Sequence, residues 1–160
     1  MKRHAPFLPI LVAASILLLA AVVAWYPQRA VAILVRAERA VYVSGEQVNF
    51  TITLRIEGNR PITVTSPLGI ARCGSLHYAV EDENHKTIYD ESGGVVYCPM
   101  MTSRLMQPDE IVSLNFSWNQ VNRSGSPVPP GQRYTLIPVF TAPEDVRVFA
   151  TPVRIFVQSA

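Results

Sequence analysis

The chain has 160 residues, enough for one domain with a sizeable core and too few for two. Hydrophobic residues make up 49% of it and the formal charge is +2, but Lys2, Arg3 and Arg29 flank an apolar run near the start, and without them the 14 basic side chains fall to 11 against 12 acidic ones. That near-neutral balance, with no basic cluster, excludes a nucleic-acid-binding protein.

Residues 1–6 read as a cytoplasmic n-region carrying Lys2 and Arg3. Residues 7–26, FLPILVAASILLLAAVVAWY, contain no charged side chain. As a helix they would span about 30 Å, the thickness of a bilayer core. Trp25 and Tyr26 close the run where an aromatic belt would lie, and Pro27 ends the helix. The run exceeds the usual length of a signal-peptide core, which favours a single-pass anchor in the cell membrane. Residues 27–32 read as a linker. Within it Ala30-Val31-Ala32 is an A-x-A pattern, so a signal sequence cut after Ala32, with secretion of the remainder, is the competing expectation. Both place residues 33–160 outside the cytoplasm.

From there the pattern has a period of two. Val48, Phe50, Ile52, Leu54 and Ile56 alternate with Asn49, Thr51, Thr53 and Arg55, which puts apolar side chains on one face of a strand. The same register returns in Leu76, Tyr78 and Val80, in Val112, Leu114, Phe116 and Trp118, in Tyr134, Leu136, Pro138 and Phe140, and in Val153, Ile155 and Val157. Turn signals separate the runs: Ser44-Gly45-Glu46, Glu57-Gly58-Asn59-Arg60-Pro61, Glu83-Asn84-His85-Lys86, Pro108-Asp109-Glu110, and residues 127–131. Residues 33–43 read as the first strand. With 13 prolines, many between runs, no long helix is expected after residue 30. About seven to nine short strands with one wet face predict an all-β domain, an immunoglobulin-like antiparallel β-sandwich preceded by one N-terminal transmembrane or signal helix.

Cys73 and Cys98 form a lone pair, expected as a disulfide in an oxidising compartment. Asn49, Asn115 and Asn122 head N-x-S/T sequons and are candidate glycosylation acceptors. His77 lies four residues after Cys73, yet no second pair of ligands has matching spacing, so no metal site and no cofactor are expected. G-x-S-x-G and HExxH are both absent, and His77 and His85 are the only histidines beyond the leader; the chain is not expected to be an enzyme. Trp118 and Tyr134, in phase with Phe116 and Leu136, are expected in the core, with their polar tips on nearby backbone.

Three segments carry a resemblance. Leu105-Met106-Gln107-Pro108-Asp109-Glu110, Phe116-Ser117-Trp118-Asn119-Gln120 and Val128-Pro129-Pro130-Gly131-Gln132-Arg133-Tyr134 are similar to the L-x-P-G-E, W-x-Q and P-G-x-Y signature of the intracellular proteinase inhibitor (BsuPI-like) family. Over roughly residues 40–142 the resemblance implies a β-sandwich binding module that inhibits a proteinase, with Pro108, Glu110, Trp118, Gln120, Pro130, Gly131 and Tyr134 as structural motif positions. Two departures stand out: Asp109 occupies the usual glycine, and this chain carries an export segment. The expected function is a membrane-tethered module restraining a proteinase or other extracytoplasmic protein through loops at 68–75 and 92–103. The alternative is an envelope or filament subunit that donates residues 33–43 to a neighbour's sheet. The oligomeric state is left open.

Overall fold

A computed structural model describes residues 29–66, 75–92 and 102–160. Every regular element among them is a strand: β1 (Arg29–Ala37), β2 (Val41–Val43), β3 (Val48–Gly58), β4 (Ile62–Ser66), β5 (Leu76–Glu81), β6 (Thr87–Asp90), β7 (Thr102–Met106), β8 (Ile111–Trp118), β9 (Gln132–Phe140), β10 (Arg147–Thr151) and β11 (Val153–Gln158). They form a four-stranded sheet, β10-β1-β3-β8, a five-stranded sheet, β2-β11-β9-β5-β6, and a ribbon of β4 and β7. The N-terminal apolar run lies outside the described residues.

Alternation along each strand makes the sandwich. Val48, Phe50, Ile52, Leu54 and Ile56 of β3 are all buried, each worth about 1.5–3 kcal/mol of removed apolar surface. They join Leu76, Tyr78 and Val80 of β5, Leu136 of β9, and Ile155 and Val157 of β11 in one core. Phe50 meets the Tyr78 ring edge-on at 4.8 Å, and the Tyr78 hydroxyl crosses the core to donate to the Ser117 carbonyl at 2.7 Å. Ile62, Val64 and Met106 bring the small ribbon onto the same core.

Two expectations change. The sheets are mixed rather than purely antiparallel, because β1 pairs in parallel with β10 and β2 with β11. The cause lies in two segments that cross from one sheet to the other side by side. Residues 38–40 break the stretch read as one strand into β1 and β2, and Pro152, which has no N–H to donate, separates β10 from β11. The stretch read as linker is also shorter. β1 begins at Arg29, opposite Gly58, because Ala30 and Val31 are 1% and 0% exposed and belong to the core.

Candidate functional site

The family-like residues fall into two groups at opposite ends of β8, about 26 Å apart at strand rise. At the far end, β8 and β9 are joined by residues 119–131, a long connection held by partners distant in sequence. Trp118 and Tyr134 are each 1% exposed and meet edge-to-face, centroids 5.5 Å apart. Trp118 Nε1 donates to the Val121 carbonyl (2.9 Å), and the Tyr134 hydroxyl donates to the Pro129 carbonyl (2.6 Å). Gln120 is 2% exposed. Its Oε1 accepts from Gly45 N–H at 2.9 Å, its Nε2 donates to the Val43 carbonyl at 2.8 Å, and its own carbonyl accepts from Val128 N–H at 2.9 Å. One side chain thus ties the connection to the turn after β2.

Other bonds fix the rest. Gly131, at φ +80°, donates its N–H to the Val157 carbonyl (2.7 Å). Arg123 N–H donates to the Ile88 carbonyl (2.7 Å), and Val121 bridges to Pro127. Asn122 Oδ1 accepts from the Ser124 and Ser126 amides and the Ser124 hydroxyl, closing the tip on itself. Val128 is buried and Pro130 exposed, while residues 123–127 stand in solvent. The product is an exposed loop, bonded at both ends and at its tip, that carries one cation, Arg123.

At the near end the turn before β8 is structural. Glu110 Oε2 accepts from Gln107 N–H at 2.9 Å, its other oxygen pairs with Arg104, and Pro108 is half-buried beside it. Asp109 sits at φ +62°, the left-handed region that glycine occupies without cost, which accounts for glycine in the family pattern. Its exposed carboxylate accepts from Arg55 at 2.9 Å. Asp109→Gly is expected to leave the urea midpoint within about 0.5 kcal/mol of the parent, whereas Asp109→Val should cost about 1–2 kcal/mol.

Of the sequons, Asn115 is exposed on β8 and accepts from Thr51 Oγ1 (2.9 Å); Asn49 is half-buried on β3; Asn122 is committed to its turn. Cys73 and Cys98, with nearly all of the loops at 68–75 and 92–103, lie outside the described residues. His77 is half-buried against Asp90 at 3.8 Å, and burial holds its pKa below the ordinary value despite that carboxylate.

Beside it, burial pushes Glu91 up to about 7, with Asp90 adding to the rise and the backbone at Tyr78 opposing it. One Glu91 carboxyl oxygen has no hydrogen-bond partner. Because the folded pKa is raised from 4.5, stability from this group is complete below pH 4.5 and is lost as pH rises through 7. Glu91→Gln should therefore raise stability at pH 8 by on the order of 1 kcal/mol, allowing for partial exposure, and change little at pH 4; urea midpoints at the two pH values check this.

A shallow cleft of about 260 Å³ opens on the outer face of the five-stranded sheet, lined by Asp82, Glu83, His85, Arg133, Thr135 and Arg154. Its acids are already occupied: Asp82 Oδ1 accepts from the Asn84 and Lys86 amides, and Glu83 from Arg133 N–H. The cleft supports the hairpin more than it invites a ligand.

A family model described as BsuPI, intracellular proteinase inhibitor, matches residues 35–144, more than two thirds of the chain. Among solved structures the chain is similar to a β-glucosidase from Erythrobacter marinus (13% identity, 81% of this chain and 15% of that one, TM-score 0.48). It is also similar to a sporulation control protein from Bacillus subtilis (12%, 81% and 50%, TM-score 0.47). A third is a CARDB domain from Pyrococcus furiosus solved with di-metal ions (10%, 84% and 98%, TM-score 0.44). The chain thus spans a small part of the glucosidase and half of the sporulation protein. A search of curated proteins returned no match.

Proposed function

Since the chain belongs to the BsuPI intracellular proteinase inhibitor family, we propose that it restrains a proteinase from the outer side of a membrane, presenting residues 121–127 to the enzyme's cleft. The observation that carries this reading is the fixed shape of the loop. A proteinase hydrolyses segments that can be drawn into an extended conformation. Here both ends of the loop are tied by buried Trp118, Gln120 and Tyr134, so docking costs little ordering entropy and distortion toward a cleavable form is resisted.

The tether rests on the sequence. The uncharged run at 7–26 ends two residues before β1 begins. Cleavage after Ala32 would remove Ala30 and Val31 from the core, which favours an uncut anchor. Against the strand-donating alternative, Ile33 and Leu34 are paired on both sides within the chain, to β10 and to β3, residues 35–37 pair with β3, and residues 41–43 pair with β11.

The full chain in detergent, titrated against serine, cysteine and metalloproteinases, should slow at least one at micromolar concentration and keep its intact mass. Arg123→Ala, at an exposed position, should weaken that inhibition about tenfold without moving the urea midpoint. No slowing across the panel, or rapid cutting between 121 and 127, would contradict the proposal.

A further inference from the structure

We infer that the outer face of the four-stranded sheet, around Phe149, Ala32 and Ile111, leans on the headgroup layer of the membrane that holds residues 7–26. The inference rests on the tether proposed above and adds a second membrane contact to it. Strand register sets one row across that face: Phe149 of β10 lies beside Ala32 of β1, Ala32 beside Arg55 of β3, and Arg55 beside Ile111 of β8. Phe149 is 52% exposed and Ile111 59%, and Leu34, in the next outward row, is 52% exposed. Further along the same face the outward positions turn polar: Thr53 and Ser113 beside Leu34, then Arg36, Thr51 and Asn115, then Asn49 and Ser117.

The reach of the chain brings lipid to this end of the face. Tyr26, the last residue of the uncharged run, and Arg29, the first of β1, are three residues apart in sequence, a gap of at most about 11 Å. The Ala32 row lies about 10 Å along β1 from Arg29, and headgroups extend about 5–7 Å beyond the hydrocarbon on each side. A sandwich held this close meets the headgroups with one broad face when it leans, and its two faces differ. The five-stranded face carries Asp82, Glu83, Arg133 and Arg154 around its cleft, charges that contact with lipid would desolvate. The four-stranded face offers Phe149, Leu34 and Ile111, whose burial at the interface is favourable. Arg147 lies one outward row before Phe149 and Arg36 one after Leu34, where their long side chains can reach lipid phosphates; Glu57, level with Arg147, is the acid among them. Residues 119–131, at the other end of β8, then stand away from the bilayer.

The test places an environment-sensitive fluorescent amino acid at position 149, 111 or 115 of the full chain, reconstituted in phosphatidylcholine–phosphatidylglycerol vesicles whose headgroups carry a spin-label quencher. Quenching at 149 and at 111 should exceed that at 115, on the polar part of the same face, by about threefold or more. Retention on the vesicles through an alkaline wash reports the tether separately. A retained chain quenched equally at all three positions would overturn the inference and leave the tether standing. So would a retained chain whose positions 149 and 111 are shielded from both the lipid label and aqueous iodide, since protein would then cover the face. A chain that washes off would remove the tether and the inference together.

Discussion

Trp118→Ala is expected to cost the domain about 3–5 kcal/mol, the largest single loss available in the described core. The side chain is 1% exposed and packs edge-to-face on Tyr134, so truncation removes a whole indole and opens a cavity between the two sheets. It also strands the Val121 carbonyl that Nε1 satisfies. Trp118→Phe keeps most of the packing and gives up that bond, and should cost about 1–2 kcal/mol. Because the same residue fixes the start of the 119–131 connection, Trp118→Phe should weaken proteinase inhibition by more than its stability loss implies. Urea denaturation read alongside inhibition of the same preparation checks both.

Gln120→Leu is the second large effect, expected at about 2–4 kcal/mol. Leucine fills the volume but leaves Gly45 N–H without a partner and the Val43 carbonyl with Glu46 N–H alone, in a site 2% exposed. The backbone compounds the loss: Gln120 is at φ +54°, a conformation tolerated because three hydrogen bonds over-determine it. Gln120→Gly relieves the backbone while surrendering the side-chain bonds, and should fall between leucine and the parent. An order in which glycine is worse than leucine would mean that the side chain's volume, not its amide, holds the connection.

The strands with one buried and one wet face were legible because alternation is a local signal. β3, β5, β9 and β11 carry it over five or more residues, and the turn read at 83–86 follows one such run and precedes the short β6. What escaped depends on long-range pairing. β10 is exposed along its whole length and has no alternation to read. β4 and β7 are short, and β7 has one buried position in five. The parallel pairs follow from two segments crossing between sheets together, a relation between residues more than a hundred positions apart. The 119–131 connection is made of turn formers and reads as plain loop. Its importance comes from Gln120 reaching back 75 and 77 positions to the turn after β2. Only the W-x-Q spacing hinted at it. The glycine replaced by Asp109 acquires its meaning from a positive φ that composition cannot reveal.

Amide hydrogen exchange across 119–131 in the full chain gives the most direct test. If the signature residues hold the loop in one shape, the Arg123, Val128 and Gly131 amides, each bonded to a carbonyl, should exchange as slowly as β3 and β9, and Gln120→Leu should release them while β3 stays protected. Exchange at loop-like rates in the parent chain, with the strands on either side protected, would contradict the account.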